Sequence, residues 1–209
     1  MKVLFVSSGN TREGINPLVK MQGESLIQLG NEIDFFTIQG KGVNGYLKAV
    51  YQLKKKLKHT SYDLIHAHYG LSAISALLGN RGLPLVVSFM GDDLIGSHRS
   101  DGSFKNLSLL LAKLNRNLAK KRYAFSIVKS KQMLDLLGIH NAAVITNGVD
   151  LDLFYPEDKK KVREITGLSK TDTIVVFVSD PERPEKNFSL AREAVEHLNN
   201  SDVQLIPVY

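Results

Sequence analysis

An α/β domain built on a parallel, doubly wound sheet is what this sequence predicts, followed by the opening of a second βαβ unit. Three observations predict it. Short apolar runs alternate with amphipathic stretches from Lys2 to Ile145. Polar, often glycine-bearing loops follow those runs, and the same alternation restarts after a charged stretch at 157–170. Alternation on this scale is the pattern of a Rossmann-like sheet covered by helices.

The first unit starts with Lys2 to Ser7, a short buried strand with a polar end. Ser8 to Asn16 has loop composition, and Pro17 sits where a helix tolerates proline, with Asn16 as its candidate cap. Leu18, Met21, Leu26 and Leu29 give that helix an apolar face, and Gly30 is a plausible terminator. Ile33 to Ile38 is the second strand. Strand, loop, helix, strand within about forty residues reads as a βαβ unit with a right-handed crossover.

The pattern then repeats. Tyr46 to Lys58 reads as a basic amphipathic helix, Asp63 to His66 as a strand, Leu71 to Leu78 as a small-residue helix, and Leu85 to Ser88 as a strand. Phe104 to Lys120 is a longer helix with Leu107, Leu110, Leu111, Leu114 and Leu118 along one side. Phe125 to Val128, Lys131 to Leu137 closed by Gly138, and Ala143 to Ile145 complete the unit. After the charged run come a strand at Ile174 to Val178, a polar loop, a helix at Phe188 to Leu198 and a strand at Val203 to Val208. One βαβ unit cannot enclose a core, so this tail is expected to be the start of a larger, truncated domain that pairs or swaps its open strands between copies. The expected division is 1–156, a charged linker at 157–170, and 171–209.

Bulk composition narrows the function. The chain has 209 residues, 27 Lys and Arg against 21 Asp and Glu, a formal net charge of +6 and no cysteine. Disulfides, thiolate metal sites and a cysteine nucleophile are therefore excluded, and a reducing cytosol fits. No apolar run reaches about 18 residues, so a soluble, cytoplasmic protein is expected. The basic balance favours anionic partners, although lysine-rich solvated helices give the same figure.

In open α/β sheets ligands bind beyond the carboxyl ends of the strands, which selects four loops. The Ser8 to Asn16 loop lies at a helix N-terminus suited to an anion; it lacks the GxGxxG pattern, which counts against a dinucleotide. The loop after the third strand holds His66-Ala67-His68-Tyr69-Gly70. His68 could hydrogen-bond a sugar or phosphate there, while His66 reads as a satisfied core histidine. Two histidines without a carboxylate cluster make a poor metal site. After the fourth strand, Asp92 and Asp93 could bind hydroxyls or a cation, or cap a helical turn. In the tail, Arg183 and Lys186 can present a fork and a point charge to a diphosphate, or be ordinary solvated charges.

The basic helix carries Lys54, Lys55, Lys56 and Lys58 among leucines. Packing those leucines inward is the ordinary reading, and contact with an anionic membrane the alternative. Aromatic–basic interleaving of the kind that stacks bases is lacking, so nucleic acid is not an expected partner.

Several stretches together resemble the GT-B glycosyltransferases of family 4. They are Asp63 to His68; Val144 to Asp150 with Phe154 and Pro156; Pro184-Glu185-Lys186-Asn187; and Gly14 with Pro17 and Gly30. The resemblance covers essentially the whole chain, with Asn147-Gly148-Val149-Asp150 its most specific segment. It implies two Rossmann-like domains, acceptor on the N-terminal one and nucleotide-sugar donor on the C-terminal one, and sugar transfer with retention of configuration. No cofactor or metal is implied. By position, His68 matches the active-site histidine, Gly14 with Asn16 and Asp92 the acceptor and phosphate loops, and Arg183 and Lys186 the donor-diphosphate pair. The acceptor implied is a glycan or a lipid-linked sugar.

The chain departs from the family pattern at Ser179-Asp180-Pro181, where Gly-Arg-Leu is usual, and at Phe89-Met90-Gly91, where His-Gly is more common. The paired-glutamate motif that holds the donor sugar is absent, so the 209 residues are expected to be inactive alone. The rival readings are a basic binding module and another GT-B enzyme, such as a sugar-nucleotide epimerase.

Overall fold

The computed structural model describes residues 1–11, 14–40, 42–99 and 103–208. It divides into two compact units, Met1–Ser97 with Phe104–Val149, and Asp150–Tyr209 with the short segment His98–Ser103.

In the first unit six parallel strands lie in the order β2-β1-β3-β4-β5-β6. They are β1 (Lys2–Ser8), β2 (Glu32–Ile38), β3 (Leu64–His68), β4 (Leu85–Ser88), β5 (Phe125–Val128) and β6 (Ala142–Val144). The helices are α1 (Pro17–Gln28), α2 (Gly42–His59), α3 (Gly70–Gly79), the single turn α4 (Asp92–Ile95), α5 (Asn106–Lys121) and α6 (Lys131–Leu137). Right-handed crossovers put α1 on one face of such a sheet and the other helices on the opposite face. Two cores result. Val3, Phe5 and Val19 pack with Ile33 and Phe35 beneath α1. Leu4, Val6, Ile65 and Val87 pack with Ala49, Leu53, Ala73, Ala76, Ala119 and Met133 on the other side.

Local chemistry explains the element ends. Asn16 Oδ1 accepts the Leu18 backbone N–H at 2.9 Å, and Pro17 fills the first helical position. Gly138, at φ +57°, closes α6 in the left-handed region where a side chain is strained. Close packing needs small residues at two crossings. A Cβ on Gly79 would meet Leu53 at 2.8 Å, and one on Gly70 would run into the Asn115 side chain. These contacts draw α2 and α5 tightly against α3.

Only part of the leucine side of α5 is buried: Leu118 packs on the core and Leu111 is half-buried. Ala112, Asn115 and Ala119 face inward, while Leu107, Leu110 and Leu114 are exposed. The crowded approach to α3 leaves room there only for small side chains, and that overrides part of the apolar stripe. Lys56 also departs from expectation: its Nζ lies 3.6 Å from Asp34 and over the Tyr62 ring, so it is tied down rather than free.

The second unit holds α7 (Lys159–Thr166), β7 (Thr173–Phe177), a 3-10 turn (Pro184–Lys186), α8 (Phe188–Glu196) and β8 (Val203–Pro207). β7 and β8 pair in parallel. α7 forms inside the charged run because Asp158 caps it, accepting the Lys161 N–H at 2.9 Å, and Gly167 ends it at φ +69°. Asp150 Oδ1 accepts the N–H groups of Asp152 and Leu153, making an Asx turn.

Candidate functional site

Strand order reverses between β1 and β3, the two neighbours from which the chain winds in opposite directions. Ligands of such sheets bind beyond the carboxyl ends of the strands at this switch point. The loops following β1 and β3 flank it, and the turn after β4 is tied to the β3 loop.

β3 places His66 and His68 on one side of the sheet. Their rings lie 4.2 Å apart, and Phe5 of β1 packs on both. The two differ in bonding. His66 Nε2 sits 2.8 Å from Ser88 Oγ, a buried pair that satisfies one ring nitrogen. His68 is 2% exposed, and neither of its ring nitrogens has a hydrogen-bond partner. Burial lowers the pKa of His66 to about 4, with the Lys129 charge adding to it. Burial, then His66 and Lys129, hold His68 well below the usual histidine value. His68 is therefore a neutral imidazole with one donor and one acceptor uncommitted.

Asp93 fixes the loops around it. Its carboxylate accepts the Gly70 N–H at 2.9 Å, Met90 N–H at 3.0 Å and Gly91 N–H at 2.9 Å. Burial raises its pKa, and those backbone donors pull the other way. Asn115 donates to the Asp93 carbonyl at 2.8 Å, and Tyr69 N–H bonds to Ser88 O at 2.9 Å. Tyr69 is held at φ +77°, a conformation that costs a non-glycine residue about 1–3 kcal/mol and is found where surroundings enforce it. The clamp presets the loop immediately after His68.

Of the other predicted residues, Gly14 stands at φ +73° with open space where a Cβ would project. Arg12 and Glu13 of the same loop lie outside the described residues. Asn16 is occupied as the α1 cap. Asp92 is exposed and accepts the Ser97 hydroxyl at 3.0 Å. Asp93, not Asp92, is the buried carboxylate of this turn.

In the second unit Arg183 and Lys186 share one turn, and α8 begins directly after it. Arg183 is forked onto Glu185, with Nη2 at 2.5 Å and Nε at 2.8 Å from Oε1. The pair is about half exposed, so the guanidinium can exchange its partner in solution.

Lys129, at the end of β5, is a residue that sequence reasoning missed. It is half-buried, its amine donates to Ile145 O at 3.1 Å, and burial lowers its pKa. Its charge is felt by His66, His68 and Asp93, which places it in the same electrostatic neighbourhood. A lysine directly after an apolar strand was the available signal. Among the described residues, no group of three or more His, Cys, Asp or Glu is arranged to hold a metal ion.

Comparison with known proteins identifies the class. Residues 14–153 match the family model of Glycosyltransferase Family 4. The chain belongs to this family and carries the GT-B type of Rossmann-like sheet. It is 30% identical over 145 residues to D-inositol 3-phosphate glycosyltransferase 1 of Catenulispora acidiphila, which covers 66% of this chain and 35% of that one. The chain spans about a third of the length of the curated relatives it matches. Among solved structures it is similar to a sucrose-phosphate synthase from Thermosynechococcus elongatus, with TM-score 0.67 and 17% identity, over 100% of this chain and 70% of that one. It is also similar to Anabaena HepE, crystallised with UDP and glucose, with TM-score 0.61 and 20% identity, over 99% and 60%.

Proposed function

We propose that this chain belongs to an enzyme that moves a sugar from a nucleotide-sugar donor to a glycan or lipid-linked acceptor, with retention of anomeric configuration. The observation that carries the reading is His68: buried, neutral, and unpaired at both nitrogens, beside the switch point of the sheet. Buried polar atoms are nearly always paired, so an unfilled imidazole in this position favours a polar ligand. The curated relative is by name a glycosyltransferase acting on D-inositol 3-phosphate, and HepE was crystallised with UDP and glucose. Both favour sugar transfer from a nucleotide-linked donor over a plain binding module.

In this reading His68 orients hydroxyls of the acceptor or of the sugar in transit. It acts as a neutral hydrogen-bonding group, because its surroundings oppose the imidazolium. Asp93 positions the His68 loop without touching substrate. Arg183 and Lys186 stabilise the diphosphate as the bond from the anomeric carbon to phosphate oxygen breaks and the electron pair stays on the diphosphate. Arg183 leaves Glu185 to do so. The 209 residues by themselves are expected not to turn over.

Calorimetry with a panel of nucleotide sugars tests the donor assignment. Lys186→Ala is expected to weaken binding by about tenfold, the loss of about one charge-assisted contact. Failure of every nucleotide sugar to bind a full-length enzyme would overturn the donor class. Transfer of labelled sugar by the 209-residue chain would overturn its inactivity. In a full-length enzyme, His68→Ala is expected to lower kcat/KM by about a hundredfold, the loss of a positioned hydrogen bond at the reacting centre. Unchanged kcat/KM would remove His68 from the site.

A further inference from the structure

Helices α2, α3 and α5 lie side by side over one face of the first sheet, joined by the close packing of Gly79 on Leu53 and Gly70 on Asn115. None of the three contains an aspartate or a glutamate. Yet α2 carries Lys48, Lys54, Lys55, Lys56 and Lys58, and α5 carries Lys113, Arg116, Lys120 and Lys121. Lys56 is engaged by Asp34, and Arg116 donates to Leu94 O at 2.7 Å. The other seven are exposed.

The same outer surface is apolar in stripes. On α2, Val43, Leu47 and Tyr51 follow at four-residue intervals and are 73%, 58% and 72% exposed. On α5, Leu107, Leu110 and Leu114 follow at intervals of three and four and are 68%, 64% and 42% exposed. Residues at these spacings share one helix face. Buried residues lie opposite in both helices: Gly45, Ala49 and Leu53 in α2, and Ala112, Asn115 and Ala119 in α5. The small-residue helix α3 lies between them, with Leu78 exposed. Two apolar ridges, each interleaved with lysines, thus stand on one acid-free layer.

We propose that the α2–α3–α5 layer docks on an anionic lipid surface. Leucine, valine and tyrosine side chains enter the acyl boundary, and the lysines meet lipid phosphates from the same helices. This combination is what interfacial helices use, with apolar burial and charge attraction adding together. Charge selects the occupant. A second copy of this face would bring seven lysines against seven, which repels. Nucleic acid would find lysines but leucine ridges where stacking side chains are needed. The claim goes beyond sugar transfer and does not depend on it.

Flotation of the 209-residue chain with vesicles tests the proposal without any substrate. Vesicles containing phosphatidylglycerol are expected to bind it at low salt and release it at high salt, with pure phosphatidylcholine vesicles binding far less. Leu47→Ser with Tyr51→Ser, and separately Leu107→Ser with Leu110→Ser, are each expected to weaken binding by about tenfold or more. Removing Lys48, Lys54, Lys55 and Lys58 by glutamine is expected to cost about fivefold per lysine. All these side chains are exposed, and unchanged circular dichroism melts would confirm that the variants fold. No binding to anionic vesicles at low salt would overturn the proposal. So would binding that none of the variants weakens, or a dimer in light scattering that the serine variants abolish while vesicle binding is nil.

Discussion

The two units use the same βαβ chemistry with opposite results. In the first, β1 buries five consecutive residues, because helices cover the sheet from both sides. In the second, no residue of β7 or β8 among those described is fully buried, and none of α8 is. Its one buried side chain among the described residues is Arg163, which donates to Ser169 O at 2.7 Å and Asp172 O at 2.8 Å. A six-stranded sheet closes a core, whereas two strands and a helix must lean on polar side chains. Full apolar burial is thus confined to the first unit among the described residues, while the second shows caps, carbonyl bonds and the edge-on packing of Phe177 on Phe188.

The comparison breaks most visibly at Phe5. Phe5→Ala is expected to cost about 3–5 kcal/mol in denaturant unfolding, while Ile174→Ala in β7 is expected to cost about 1 kcal/mol. Equal losses would mean that the second unit is packed as the first is.

Acid comes next. His66 titrates near 4 when folded and near 6.5 when unfolded, so the unfolded chain takes the proton first as pH falls. Its contribution is whole above pH about 6.5 and drains away toward pH about 4. At about 1.4 kcal/mol per unit, this amounts to on the order of 3 kcal/mol. His68 acts in the same direction. Urea unfolding across this window should show the loss in the first unit, and His66→Gln should flatten it. An unaltered acid profile in that variant would contradict a buried neutral His66.

Smaller effects sharpen the second unit. Arg163→Ala leaves two carbonyls without their donor and is expected to cost about 2 kcal/mol. Amide exchange should quicken in Asp150–Pro207 and stay unchanged in β1 and β3. Asp158→Ala removes the α7 cap and is expected to cost about 1 kcal/mol, read as lost helicity confined to 159–166.

Much of the fold is legible in the sequence. Pro17 behind Asn16 marked the start of α1, and Gly138 marked the end of α6, because caps are chosen locally. The apolar runs located the strands of the first sheet to within a residue or two. The α5 face was not legible. Its leucine stripe looks like a core stripe, and only the closeness of α3, set by Gly70 against Asn115, turns the small residues inward.

The candidate site divides in the same way. His68 and Gly14 stand out because strand ends and glycine loops are readable, and His66 pairs with Ser88 as a core histidine does. Asp93 and Lys129 were obscured. Nothing in Asp92-Asp93 says which carboxylate turns inward, since that depends on where the Gly70 and Met90 N–H groups converge. Nothing in Val128-Lys129 says that its charge reaches His68, which sits two strands away.

By itself, the sequence determined the alternation of elements, the caps, the absence of cysteine, and the family to which residues 14–153 belong. Each of these is written in neighbours a few residues apart. The tertiary structure alone decided which aspartate clamps the loops and which face of α5 meets solvent. Those outcomes depend on distances between segments far apart in the chain, which no local pattern encodes.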